Sequence, residues 1–89
     1  MAGEQLAEFE RLLTAALPDV VSEALGADAG SVYRPVMACL EGPLLRHVLD
    51  LAGGNQVKAA RLLGINRNTL RKRLRLLGLR PSARGATAS

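Results

Sequence analysis

Residues Gly54 to Lys72 read GNQVKAARLLGINRNTLRK, two short helical segments punctuated by glycine and asparagine. Asn55 stands where a helix N-cap belongs, because its side chain can accept a hydrogen bond from a first-turn N–H that has no partner within the helix. The helix it opens spans Gln56 to Leu63 and ends at Gly64, a residue that tolerates the left-handed backbone of a helix stop. Gly64-Ile65-Asn66 then leaves a tight turn, and a further helix starts at Asn66 or Arg67 with Leu70, Leu74 and Leu77 spaced four and three apart, before Gly78 stops it. Small Ala59 and Ala60 permit close crossing of the two axes, and Leu63, Ile65, Leu70 and Leu74 form the wedge that sets their angle. With the leucines inward, Asn68, Lys72 and Arg75 fall on the opposite side, flanked by Arg67, Thr69, Arg71 and Arg73. Two short helices at a fixed angle, the second studded with bases and amides, describe a helix-turn-helix whose second helix fits the roughly 12 Å major groove of B-DNA.

Toward the N-terminus, Gly53-Gly54 closes a longer helix that Ser31 caps and that ends near Ala52, with Val32, Val36, Leu40, Leu44, Val48 and Leu51 along one face. Pro43 is expected to kink this helix without ending it. A first amphipathic helix carries Leu6, Phe9, Leu13, Ala16, Leu17, Val20 and Val21, with Pro18 marking a break or a new first turn. Gly26, Asp28 and Gly30 make the loop between them. The fold class is therefore all-α with four helices, in which residues 1–53 form a helical dimerisation region and 54–79 a DNA-binding helix-turn-helix. The last stretch, 80–89, is a basic tail without apolar periodicity and is expected to be disordered.

Eighty-nine residues allow one small domain, too small for a large catalytic cleft. A single cysteine and a single histidine provide neither an internal disulfide nor a conventional zinc site, so no metal or other cofactor is expected. Cys39 reads as a small buried hydrophobe, and His47 as a packing or dimer-interface residue without a nucleophile beside it. No catalytic residue is assigned. The net charge of +4 is unevenly distributed, since all eight acids precede Gly54 while nine of the twelve bases follow it. A stretch with nine bases and no acid repels itself unless a polyanion neutralises it, and duplex DNA is the partner that a helix-turn-helix offers. No apolar run is long enough for a membrane span, and acids stand where a secretory signal would place bases, so the expected location is the cytoplasm, at the nucleoid.

Arg67, at the end of the recognition helix that enters deepest, is the candidate for a bidentate contact to guanine. Asn66 and Asn68 are the candidates for adenine or phosphate. Asn55, Gln56, Lys58, Thr69, Arg71, Lys72, Arg73 and Arg75 are placed to hold the sugar-phosphate backbone through amide, hydroxyl and charge, helped by the positive ends of the helix dipoles.

Gly54-Asn55-Gln56, Ala59, Gly64-Ile65-Asn66-Arg67 and Thr69-Leu70-Arg71-Lys72, with Pro43-Leu44-Leu45 upstream, resemble the C-terminal helix-turn-helix of the Fis family. This family includes the DNA-binding domains of enhancer-binding activators. The similarity runs from Tyr33 to Gly78. It implies a dimer that intertwines its first two helices and sets two recognition helices into successive major grooves of a bent duplex, and it leaves room for a contact with the transcription machinery. By the family's pattern Asn66 and Arg67 approach bases, while Asn55, Gln56, Thr69, Arg71 and Lys72 hold the backbone. Val57 departs from the pattern, because a hydroxyl residue there would add a phosphate bond that valine cannot make.

The apolar faces of the first two helices are wider than the two small C-terminal helices can cover, which independently favours a homodimer. The alternative is a monomer in which helix one folds back on helix two. The expected function is a dimeric, sequence-specific bacterial transcriptional regulator that bends DNA. The excised output domain of an enhancer-binding activator is the second reading, and the length of 89 residues favours a stand-alone regulator. A basic helix lying on an anionic membrane is a more distant third, since interfacial aromatics are lacking around the basic helix.

Overall fold

A computed structural model describes residues 2–27 and 30–79. They form four helices, α1 (Ala2–Ala27), α2 (Tyr33–Leu51), α3 (Gln56–Leu63) and α4 (Arg67–Leu76), with no strand among the described residues. The expected disordered tail 80–89 and the loop residue Asp28 lie outside the described residues. The chain divides into two compact units, one within Met1–Met37 and one within Ala38–Ser89, so the division falls inside α2.

In the first unit α1 runs unbroken through Pro18 and Gly26, where a break and a loop were expected. Proline removes the bond that residue 18 would donate to the Thr14 carbonyl, but Thr14 is exposed, so water can serve that oxygen. Leu13, Val21 and Ala24 are half-buried, whereas Leu6 and Leu12 are 68% and 58% exposed. Helix α2 starts one residue later than Ser31 capping implies: the Val36 N–H donates to the Val32 carbonyl at 3.2 Å, which puts Val32 in the N-cap position.

The second unit packs the C-terminal half of α2 with α3 and α4. Its core is Leu45, Leu49 and Ala52 of the α2 end, Ala59 and Ala60 of α3, and Leu70 and Leu74 of α4, with Val48, Leu63, Leu77 and Leu79 packed around them. The apolar stripe expected on α2 is thus only partly the buried one, since Leu44 and Leu51 are exposed. Helix α2 has apolar side chains on two faces, and the helix-turn-helix covers the face of Leu45, Leu49 and Ala52. Cys39 lies off that face and is exposed, not buried as its apolar neighbours implied. His47 is exposed as well. Ile65 contributes less to the wedge than expected, being 37% exposed.

Both ends of α3 are built by the residues that announce them. Asn55 Oδ1 accepts the Lys58 N–H at 3.0 Å, a cap that contributes about 1 kcal/mol. At the other end Gly64 adopts φ +77°, and this left-handed turn brings the Ile65 N–H onto the Ala60 carbonyl at 3.0 Å. Helix α4 closes in the same way, with Gly78 at φ +73° and the Leu79 N–H on the Leu74 carbonyl at 2.8 Å. The paired glycine and i+5 hydrogen bond are the Schellman stop, which satisfies carbonyls the helix leaves open. Both helices are therefore short and sharply bounded, as a fixed crossing angle requires.

Candidate nucleic-acid interface

Helix α4 turns two leucines fully inward, Leu70 and Leu74 at 0% exposure, and this fixes its rotation about its own axis. At 100° per residue, Asn68, Lys72 and Arg75 point directly away from that buried stripe, and all three are exposed. Arg67, Thr69 and Arg71 are also exposed, on the flanks. A surface pocket brings Arg67 and Arg71 together with Asn55, Gln56 and Val57 at the start of α3. The depression lies at the amino end of α3, where the helix dipole favours an anion. Lys58 is exposed on α3 outside this cluster.

The caps refine what the asparagines can offer. Asn66 Oδ1 accepts the Asn68 N–H at 2.7 Å, which makes Asn66 the N-cap of α4. A bidentate pairing with adenine needs both the oxygen and the nitrogen of the amide, so the cap leaves Asn66 better suited to donating through Nδ2. The same holds for Asn55, whose oxygen caps α3.

Arg73 stands apart from the other bases of α4. It lies on the side of the helix near the leucine stripe, half-buried, and its guanidinium forks onto Glu41 of α2: Nε donates to Oε2 at 2.8 Å and a terminal nitrogen to Oε1 at 2.5 Å. Sequence reading grouped Arg73 with the backbone-contacting residues and gave Glu41 no role. A pair 32 residues apart leaves no local signature, although two features pointed toward it. Arg73 keeps step with Leu70 and Leu77 on the wheel of α4, and residues 54–89 contain no acid, so a carboxylate partner had to come from upstream.

The hydrogen bond from Arg73, reinforced by its charge, lowers the Glu41 carboxyl pKa from its ordinary value, and partial desolvation opposes the shift. A carboxylate whose pKa is lower in the folded than in the unfolded chain contributes stability above the ordinary glutamate range and loses it as pH falls through the lowered value. The wild-type chain should therefore melt above a Glu41→Gln variant near neutral pH, by roughly 1 kcal/mol or less for so exposed a pair. That gap should narrow as the pH falls below the ordinary glutamate range and the carboxyl takes up its proton. Thermal melts of both chains across that range check it.

Among the described residues no cluster of three or more His, Cys, Asp or Glu side chains could hold a metal ion, and no helix is long and apolar enough to cross a membrane.

Residues 37–77 match the family described as bacterial regulatory protein, Fis family. The DNA-binding protein Fis of Mannheimia haemolytica is 43% identical over 65 residues, which cover 73% of this chain and 66% of the relative. That of Pasteurella multocida (strain Pm70) is 44% identical over 64 residues, covering 72% and 65%. The chain thus spans just under two thirds of the length of these curated relatives, at 66% and 65%. No solved structure matches it. The capped helix-turn-helix thus lies inside a segment, residues 37–77, that belongs to the Fis family of bacterial regulatory proteins.

Proposed function

We propose that this chain is a dimeric, sequence-specific DNA-binding transcriptional regulator, a binding protein and not an enzyme, working at the nucleoid. The observation that carries this reading is α4: its buried face is fixed by Leu70 and Leu74, and its opposite face exposes Asn68, Lys72 and Arg75 with Arg67 at its start. In a major groove, Arg67 reads a guanine edge, and Asn66 and Asn68 reach bases or the phosphates beside them. Asn55, Gln56, Lys58, Thr69, Arg71, Lys72 and Arg75 hold the backbone and set the register. Arg73, forked onto Glu41, is left out of that set.

The apolar side chains exposed along α1 support a second copy as partner, with residues 1–53 as the dimerisation region and 54–79 as the reading head. Two recognition helices about one helical turn apart would favour a pseudo-palindromic site and reward a bend that brings both into register. The name that the relatives share, DNA-binding protein Fis, supports the same reading.

Lys72 separates backbone from base contacts. Lys72→Ala should weaken selected and random duplexes alike and reduce the slope of log K against log salt by about 0.9 per lost phosphate contact. Titrations of both chains against duplex and against anionic vesicles test the reading. Duplex binding with that slope change supports it, and binding to vesicles but not duplex would give the function to a membrane surface instead.

A further inference from the structure

We propose that Glu41 is a specificity-determining positioning residue, which clamps Arg73 so that α4 presents Arg67 at one tilt and so that Arg73 is withheld from phosphate. The inference rests on the DNA-binding reading above. Helix α4 has ten residues and two fully buried side chains, Leu70 and Leu74, one turn apart on a single line. Two anchors on one line set rotation about the helix axis but leave rocking across that line weakly opposed. A third tie, off the line and directed to a different helix, opposes it. The Glu41–Arg73 fork is such a tie, because two parallel hydrogen bonds between a planar guanidinium and a planar carboxylate fix orientation as well as distance. It sits on the flank of α4 away from Arg67 and Arg71, which line the pocket at the start of α3.

The clamp also changes the charge available to a duplex. Helix α4 carries five bases, Arg67, Arg71, Lys72, Arg73 and Arg75. The Arg73 side chain is 37% exposed and the Glu41 side chain 24%, and the fork sets the two charges directly against each other. Without Glu41 the same guanidinium loses its fork and can turn toward the groove. Binding would then gain a sequence-blind contact while the base-reading end loses its fixed angle. Both changes lower discrimination, and they move random-duplex affinity in the direction opposite to a general loss of fold.

The experiment uses the full chain as wild type, Glu41→Gln, Glu41→Asp and Arg73→Gln. The probes are a duplex of about 30 base pairs selected by the wild type from a randomised pool and one random duplex of equal length, long enough for two half-sites. Each is titrated over a salt series at a temperature where every chain is folded by circular dichroism. Glu41→Gln should bind the random duplex as tightly as wild type or more tightly, with a slope steeper by about 0.9. It should also lose about tenfold in the ratio of selected to random affinity, of the order of one weakened base contact. Glu41→Asp, which keeps the charge, should recover part of that ratio. Arg73→Gln should lose the ratio while leaving the wild-type slope on random DNA unchanged. The inference is overturned if Glu41→Gln keeps the wild-type ratio, or if Arg73→Gln flattens the slope by about one phosphate while keeping the ratio. In those cases wild-type binding still stands. Failure of the wild type to bind either duplex overturns the DNA-binding reading and this inference together.

Discussion

Leu70→Ala should destabilise the helix-turn-helix by about 2–5 kcal/mol, enough to leave much of the chain unfolded at growth temperature. Leu70 has 0% exposure and stands in a core that, among the described residues, has seven buried hydrophobic side chains, three of them alanine. Removing three carbons there opens a cavity that few neighbours can move to fill. A single cysteine cannot close a disulfide within the chain to offset the loss. Urea denaturation followed by circular dichroism, at equal chain concentration because association shifts apparent stability, measures it. A cost below about 1 kcal/mol would mean that the core lies elsewhere. Leu76→Ala is the control, since Leu76 is 61% exposed on the same helix and should change stability little.

Arg67→Ala should cost about 1–3 kcal/mol on the preferred duplex and much less on random DNA. Arg67 is the first residue of α4, exposed, directly after the Asn66 cap. A guanidinium at that end can donate two hydrogen bonds to the O6 and N7 of one guanine, and the other bases present no matching pair of acceptors there. Loss of the fork removes discrimination at one base pair of each half-site, so an array of single-base variants should show selectivity falling there and holding elsewhere. An equal loss on selected and random duplexes would instead make Arg67 a phosphate contact, sharing the pocket with Arg71.

The helix-turn-helix was legible in the sequence because its boundaries are written in local chemistry. Asn55, Gly64, Asn66 and Gly78 each act on backbone within five residues, and each stands in the structure where its side chain or its φ requires. The buried face of α2 was not legible in the same way. A helix with apolar side chains on two faces satisfies the same periodicity on either, and only contact with α3 and α4 selects Leu45, Leu49 and Ala52 over Leu44 and Leu51. Pro18 read as a break because proline gives up a helix hydrogen bond, yet α1 runs on through it where Thr14, the residue that would have accepted that bond, is exposed to solvent. The same limit hid Cys39, whose apolar neighbours in sequence are not its neighbours on the helix face. In the candidate site, the outward residues of α4 followed from the leucine spacing alone. The pairing of Arg73 with Glu41 did not, because it depends on how α4 is laid against α2.

Fluorescence anisotropy of the purified chain with two labelled duplexes of about 30 base pairs, one random and one carrying pseudo-palindromic half-sites a helical turn apart, decides whether the chain reads duplex DNA as a dimer. Binding should weaken steeply with salt on both and be tighter on the palindrome, with a stoichiometry of two chains per duplex. Absence of binding to either duplex at low salt would rule out a DNA-binding protein and leave the exposed basic face of α4 to a different partner.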